Sequence, residues 1–84
     1  MNHVLSIIGS TGTNTLSESS RTITLAGSGT PFVVAASERF TYSTGTVTYT
    51  GSGTVNIAAL GDTVNTYNAY YNLILNNAAG NFVL

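Results

Sequence analysis

Two segments of this chain, TITLAGSGT at Thr22–Thr30 and TVTYTGSGT at Thr46–Thr54, align without a gap, so that Thr22 matches Thr46. In each segment, β-branched or aromatic residues alternate with smaller residues and then run into Gly-Ser-Gly. Alternation with a period of two is typical of a β-strand, and glycine-rich triplets are typical of turns. The two segments therefore predict a repeated unit of strand, tight turn and strand.

Two weaker copies of this unit flank the central pair. NLILNNAAG at Asn72–Gly80 aligns with the second segment, and SIIGSTGT at Ser6–Thr13 aligns if one inserted threonine is allowed. No window has apolar residues at positions i, i+3, i+4 and i+7, so we expect almost no helix. The sequence predicts a single repeat-built β domain over residues 1–84, with units near residues 4–20, 21–44, 45–68 and 69–84.

The spacing between copies is suited to the coils of a β-solenoid, in which each turn contributes two or three short strands. We therefore expect an all-β fold that forms a short parallel β-solenoid (β-helix) of about four coils. The alternative is an antiparallel β-sandwich or meander with strand exchange, in which each Gly-Ser-Gly is a hairpin turn.

The repeat alignment also predicts which side chains share a layer of the core. The first inner column would consist of Ile23, Val47 and Leu73. The second would consist of Leu25, Tyr49 and Leu75, with Ile7 as an extension. We expect the six side chains of these two columns, without Ile7, to be buried. We also expect at least two turn glycines to adopt positive φ, where glycine meets no steric cost; the candidates are Gly27, Gly29, Gly51 and Gly53.

Charge is scarce in this chain. Only 6% of the residues are charged, whereas soluble domains average about 25%; they are Glu18, Arg21, Glu38, Arg39 and Asp62. Two arginines cannot neutralise a phosphate backbone, so we expect no nucleic-acid partner. No stretch approaches the roughly 20 apolar residues of a membrane span, so we expect no membrane insertion. Cysteine is absent, which excludes disulfides and thiolate sites.

The residues that carry enzyme chemistry are few and scattered. Glu18, Glu38 and Asp62 lie in polar, turn-like contexts, so we expect their carboxylates to be solvent-exposed. His3 has no acidic neighbour in sequence, and Gly-Ser-Gly-Thr lacks the lysine of a phosphate-binding loop. One carboxylate at Asp62 is too few for calcium, which takes six to eight oxygen ligands. We therefore expect no enzyme activity, and no catalytic, cofactor-binding or metal-binding residue.

The C-terminal part of the chain has a recognisable pattern. STGTVTYTGSGT at Ser43–Thr54, followed by YYNLILNN at Tyr70–Asn77, resembles repeats of very large, low-charge bacterial surface proteins. Those repeats pair a GTVTYTGSGT segment with a YYNLTLNN segment, and the resemblance covers roughly residues 22–84. Their style is similar to that of filamentous haemagglutinin and autotransporter passengers. The resemblance implies an extracellular or cell-surface location and an adhesive or scaffolding role. This chain departs from the pattern at Glu38-Arg39 and at Ile74, where threonine is common.

Both outer apolar runs lack the charges and prolines that usually protect a strand edge. We expect them to form an assembly interface; its residues are Val4, Leu5, Ile7, Ile8, Phe82, Val83 and Leu84. The sequence stops within the strand-like run Phe82–Leu84, which indicates a repeat cut from an array or a subunit that stacks on another copy. The chain is therefore predicted to be a structural subunit or section of an extracellular fibre or cell-surface stalk, which assembles head-to-tail with itself.

The alternative function is a carbohydrate-binding adhesin module. Exposed tyrosines can stack on sugar rings and form hydrogen bonds through their hydroxyl groups. Tyr67, Tyr70 and Tyr71 cluster in the sequence and form a candidate platform for glycans. The competing interpretation is that Tyr49 and Tyr71 line the interior of the fold or form an aromatic ladder across coils.

Overall fold

The computed structural model describes residues 4–8, 15–35, 38–60 and 68–84. Within these ranges the chain forms short strands and no helix, so the described part is all-β. The strands are β1 (Leu5–Ile7), β2 (Thr15–Ser17), β3 (Thr22–Leu25), β4 (Phe32–Val34), β5 (Arg39–Thr41), β6 (Thr46–Tyr49), β7 (Gly53–Asn56), β8 (Asn72–Leu75) and β9 (Gly80–Val83). Most are rich in the β-branched and aromatic residues that favour strands.

The strands form four small, separate sheets: β1-β4, β2-β5, β3-β6-β8 and β7-β9. Every pair is parallel, and each strand pairs with one that lies 24–27 residues away in the sequence. Gly51–Gly53 leads from β6 to β7, which belong to different sheets. The Gly-Ser-Gly segments are therefore corners and not hairpin turns. The antiparallel sandwich or meander is wrong for the described strands.

The register of the three-stranded sheet confirms the two predicted columns. Ile23 pairs with Val47, which pairs with Leu73, and the same order links Leu25, Tyr49 and Leu75. The proposed extension by Ile7 is wrong, because Ile7 pairs with Val34 in the sheet of β1 and β4. The N-terminal copy was aligned only by its alternation of apolar residues, and a strand with this alternation can pair equally well with β4.

One hydrophobic core joins the four sheets. Its buried members are Ile7, Leu25, Phe32, Phe40, Val47, Tyr49, Val55 and Ile57. Phe32 of β4 and Phe40 of β5 pack edge to face, with ring centroids 5.3 Å apart. This contact joins the two smaller sheets at the N-terminal side of the described chain.

The predicted inner face is buried only in part. Three of its six residues belong to the core, and Ile23 packs against the core while partly buried. Leu73 and Leu75 do not join the core as expected, since they are 40% and 46% exposed. The reason is their position on β8, an edge strand that no described strand covers on its outer side.

Two kinds of corner recur along the chain. Ser19, Ser43 and Asn68 each have positive φ, and they precede β3, β6 and β8 in turn. Gly29 and Gly53 also have positive φ, at 74° and 69°, which confirms the expectation for the turn glycines. The corners thus repeat in step with the strands.

Candidate assembly interface

The outer edge of β1 carries no described strand. The Leu5 N–H donates to the Pro31 carbonyl at 2.8 Å, and the Ala35 N–H donates to the Ile7 carbonyl at 3.0 Å. Leu5 and Ile7 therefore direct their peptide groups toward β4. Peptide groups of successive strand residues alternate in direction, so those of Val4, Ser6 and Ile8 point away from β4. The exposed apolar side chains of Val4 and Ile8 flank this edge.

The outer edge of β9 is open in the same sense. The Ile57 N–H donates to the Val83 carbonyl at 2.7 Å, and the Gly53 N–H donates to the Ala79 carbonyl at 3.1 Å. Val83 therefore faces β7, whereas the peptide groups of Phe82 and Leu84 point away from it. The side chains of Val83 and Leu84 are exposed, and that of Phe82 is half-buried against the core.

The predicted interface residues lie on two separate sheets. Val4, Leu5, Ile7 and Ile8 lie in or beside β1, which pairs with β4, and Phe82, Val83 and Leu84 lie in or beside β9, which pairs with β7. The two groups are not paired with each other within the chain. A contact between them would therefore join two copies.

An apolar cavity of about 360 Å³ lies beside the edge strand β8 and the end of β9. Its lining consists of Ala59, Leu60, Tyr70, Leu73 and Leu84. Leu73 belongs to the edge strand β8, and Leu84 follows the edge strand β9. Neither the cavity nor the exposed face of β8 was predicted from the sequence. The exposure of Leu73 depends on its being on the last strand of its sheet, which the repeat alignment does not show.

Among the candidate platform tyrosines, Tyr70 is partly buried and packs against the core. Its hydroxyl donates to the Ala58 carbonyl at 2.8 Å and lies 2.8 Å from the Tyr49 hydroxyl. Burial raises the pKa of both hydroxyl groups, and the nearby Tyr49 hydroxyl raises that of Tyr70 further. Both are therefore neutral at physiological pH and able to donate hydrogen bonds.

The other two platform residues differ in what the structure shows of them. Tyr71 is 57% exposed, so the expectation that it lines the interior is wrong. It directly precedes the edge strand β8, which no described strand covers on its outer side. Tyr67 lies outside the described residues. Of the two platform tyrosines that the structure describes, only Tyr71 has a mainly exposed side chain.

Two carboxylates depart from the expected solvent exposure. Glu18 and Glu38 are only 5% and 1% exposed. Glu18 packs over Gly45, where an added Cβ would overlap its carboxyl group. Within the described residues, neither carboxylate oxygen of Glu18 has a well-formed hydrogen bond. Burial raises the pKa of Glu18 above 4.5, and the nearby backbone amides of Thr46 and Ile23 oppose that shift in part.

Known proteins offer no match. No family model matches the chain, and no curated protein or solved structure matches it. In the ranges that the structure describes, no three His, Asp or Glu side chains gather as metal ligands would. No helix in those ranges is long and apolar enough to cross a membrane. The open strands β1, β8 and β9 and the adjoining cavity are thus the candidate site.

Proposed function

We propose that this chain is a structural subunit, or one section, of an extracellular fibre or cell-surface stalk that assembles head-to-tail. One observation carries this proposal. Among the described residues, no strand pairs with the edge of β1 that faces away from β4 or with the edge of β9 that faces away from β7. Both edges belong to parallel pairs, so one can accept the other without reversing strand direction.

We further propose that the units form a short parallel β-solenoid of about four coils. Three features support this arrangement. Parallel partners recur at nearly constant spacing, the positive-φ corners recur at similar intervals, and a single core joins all four sheets. Repeats that contact only their neighbours are the usual basis of such elongated folds.

Assembly is favoured by what the edges lack. An open row of N–H and C=O groups is a template for pairing with another chain unless charge, proline or a covering element blocks it. Residues 4–8 and 80–84 contain no charged residue and no proline. A contact between two different edges propagates as a filament unless the rotation closes into a ring. Because so few residues of the chain are charged, there is little repulsion to oppose such growth.

The proposed location and partner follow from the same features. The resemblance of residues 22–84 to repeats of bacterial surface proteins supports an extracellular or cell-surface location. The partner that we propose is another copy of the chain, and the role is structural and not catalytic. Nucleic acid and membrane insertion are not part of this function.

The experiment compares wild type with two lysine variants, one beside the β1 edge and one at an exposed corner. Purified wild type should form filaments in negative-stain micrographs, and its scattering mass should rise with concentration. Ile8→Lys places a charge beside the β1 edge and should keep the chain dispersed. Ser52→Lys adds the same charge at the exposed corner between β7 and β6, the central strand of another sheet, and should assemble as wild type does. Monodisperse wild type at high concentration would refute the proposal.

A glycan-binding adhesin module is the second candidate function. The exposed ring of Tyr71 favours it, because it adjoins in sequence Tyr70, whose side chain lines the open cavity. Tyrosine rings at a cavity mouth are suited to stacking on sugars. On a glycan array, specific binding by dispersed wild type that is lost in Tyr71→Ala would favour this function over the fibre.

A further inference from the structure

We propose that β1 of a second copy pairs in parallel with the open edge of β9. In the register that we infer, Leu5 lies beside Phe82, Ser6 beside Val83 and Ile7 beside Leu84. This inference rests on the proposed head-to-tail assembly, and it adds the partner strand and its alignment.

In this register, the unpaired N–H and C=O groups of the two strand edges are positioned to form hydrogen bonds with each other. In a parallel pair, a residue that faces its neighbour bonds to the two residues flanking its direct partner. Within the chain, the Thr46 N–H donates in this way to the carbonyl of the residue before its partner in β3. With Leu5 beside Phe82, the Phe82 N–H would donate to the Val4 carbonyl and the Ser6 N–H to the Phe82 carbonyl. In this register, the N–H and C=O groups that face outward on the two strands form hydrogen bonds with each other.

The side chains select the same register. Leu5 and Ile7 point inward, as does Phe82, whereas Ser6 and Val83 are exposed. A shift by one residue would turn the apolar side chains of one strand to the other face. A shift by two would place Ile7 beside Phe82 but would leave Leu5 beside Gly80, which has no side chain to contact. Only the proposed register pairs both inward residues of β1 with apolar partners.

The chain already contains this kind of pair. Leu5 lies beside Phe32 where β1 meets β4, and Val55 lies beside Phe82 where β7 meets β9. A branched aliphatic residue next to an aromatic ring is a favourable cross-strand pair. Leu5 of a second copy would therefore continue the Val55–Phe82 row with the same chemistry.

The register also accounts for the exposed Leu84. Its side chain lines the apolar cavity and is among the most exposed hydrophobic groups of the described chain. With Ile7 of a second copy beside it, Leu84 would be held over the cavity and removed from water. Burial of apolar surface of this kind contributes to association.

Disulfide cross-linking tests the register directly, because the chain has no cysteine. Ser6→Cys and Val83→Cys are purified separately, mixed, and oxidised under assembly conditions. Both positions are exposed, so folding should be retained and is checked by circular dichroism. Adjacent strands lie about 4.8 Å apart, within the Cα separation of about 4.4–6.8 Å that a disulfide spans. A disulfide between the two variants should therefore form.

The matched control mixes Ser6→Cys with Asn81→Cys. Asn81 is exposed like Val83 but lies two residues away along β9. That displacement of about 6–7 Å places the two Cα atoms beyond disulfide range. We expect about tenfold less cross-linked dimer from this mixture than from the first.

The outcomes separate the register from the assembly itself. If wild type forms filaments but the Asn81 mixture cross-links best, or neither mixture cross-links, the register is wrong and the proposed function stands. Dimers from Ser6→Cys alone would indicate β1 against β1 and would also overturn the register. If wild type remains dispersed at all concentrations, the proposed function fails and the inference fails with it.

Discussion

The hydroxyl oxygens of Tyr49 and Tyr70 lie 2.8 Å apart and share a hydrogen bond between distant parts of the sequence. The Tyr70 hydroxyl donates to the Ala58 carbonyl at 2.8 Å, so its single proton is used there. Tyr49 is therefore the donor to Tyr70, and it accepts from the Ala58 N–H at 3.4 Å. The three residues form a closed ring of hydrogen bonds that ties β6 to the segment before β8.

Removal of one hydroxyl should open this ring. We expect Tyr70→Phe to lower the free energy of unfolding by about 1–3 kcal/mol, because buried groups of Tyr49 and Ala58 would lose their partner. Urea denaturation measures the loss. Tyr71→Phe removes the same atom from an exposed ring and should change stability by less than about 0.5 kcal/mol. Equal losses in the two variants would contradict a structural role for the ring.

The two ends of the second column should differ in energetic importance. Leu25 is fully buried, and Leu25→Ala should destabilise the dispersed chain by about 2–5 kcal/mol. Leu75, aligned with it through Tyr49, is on the exposed strand β8, and Leu75→Ala should cost less than about 1.5 kcal/mol. Thermal or urea unfolding at low concentration distinguishes them. A comparable cost at both positions would mean that β8 is covered.

Two corner glycines should respond differently to substitution. At Gly51 an added Cβ would overlap the Gly27 carbonyl oxygen, so Gly51→Ala should cost about 3 kcal/mol or more. At Gly53 there is open space but φ is 69°, so Gly53→Ala should cost about 1–2 kcal/mol. Gly53→Asn should recover much of that loss, since asparagine tolerates positive φ. Gly51→Asn should show no such recovery in the same unfolding assay.

The buried carboxyl group of Glu18 predicts a particular pH dependence. Because its pKa is raised by burial, the folded chain holds the proton more tightly than the unfolded chain does. The stabilisation linked to protonated Glu18 is therefore fully present below pH 4.5 and is lost as the pH rises through the raised folded-state pKa. Glu18→Gln should abolish this decline and be more stable than wild type at neutral pH.

Unfolding midpoints in urea, measured from below pH 4.5 up to neutral pH, test this dependence. Ser17→Ala, a change at an exposed neighbour, should keep the wild-type profile. If wild type instead gained stability across this range and Glu18→Gln were weaker at neutral pH, the carboxylate would have to be stabilising in its charged form.

The alignment of β3, β6 and β8 could be predicted from the sequence because it depends only on local spacing. Two gapless copies place Ile23 beside Val47, and the third copy keeps the phase at Leu73. Parallel pairing was one of two predicted alternatives, since Gly-Ser-Gly suits a hairpin as well as a corner. Which neighbour β1 would choose could not be predicted, because Leu5–Ile7 has the same alternation as several strands.

Burial was predicted less well than register. Leu73 and Leu75 have the sequence pattern of core residues, but exposure depends on whether another strand lies beyond them. Glu18 followed by two serines is typical of a solvated turn. Its burial arises from the space over Gly45, which lies 27 residues further along the chain. Asn68 was not recognised as a corner residue, although its side chain accepts from the Phe40 N–H at 2.7 Å. Such long-range contacts leave no local trace in the sequence.

A residue with positive φ precedes each strand of the three-stranded sheet; these residues are Ser19, Ser43 and Asn68. This recurrence bears on how such a chain can lengthen over evolutionary time. A DNA duplication spanning one interval would deliver a new strand together with a corner already able to turn the backbone. Only the strands on either side of the new unit would change partners, because each strand pairs only with the unit before and the unit after it. Recombination of this kind would change the number of strands in whole steps, whereas point mutation would alter the surface.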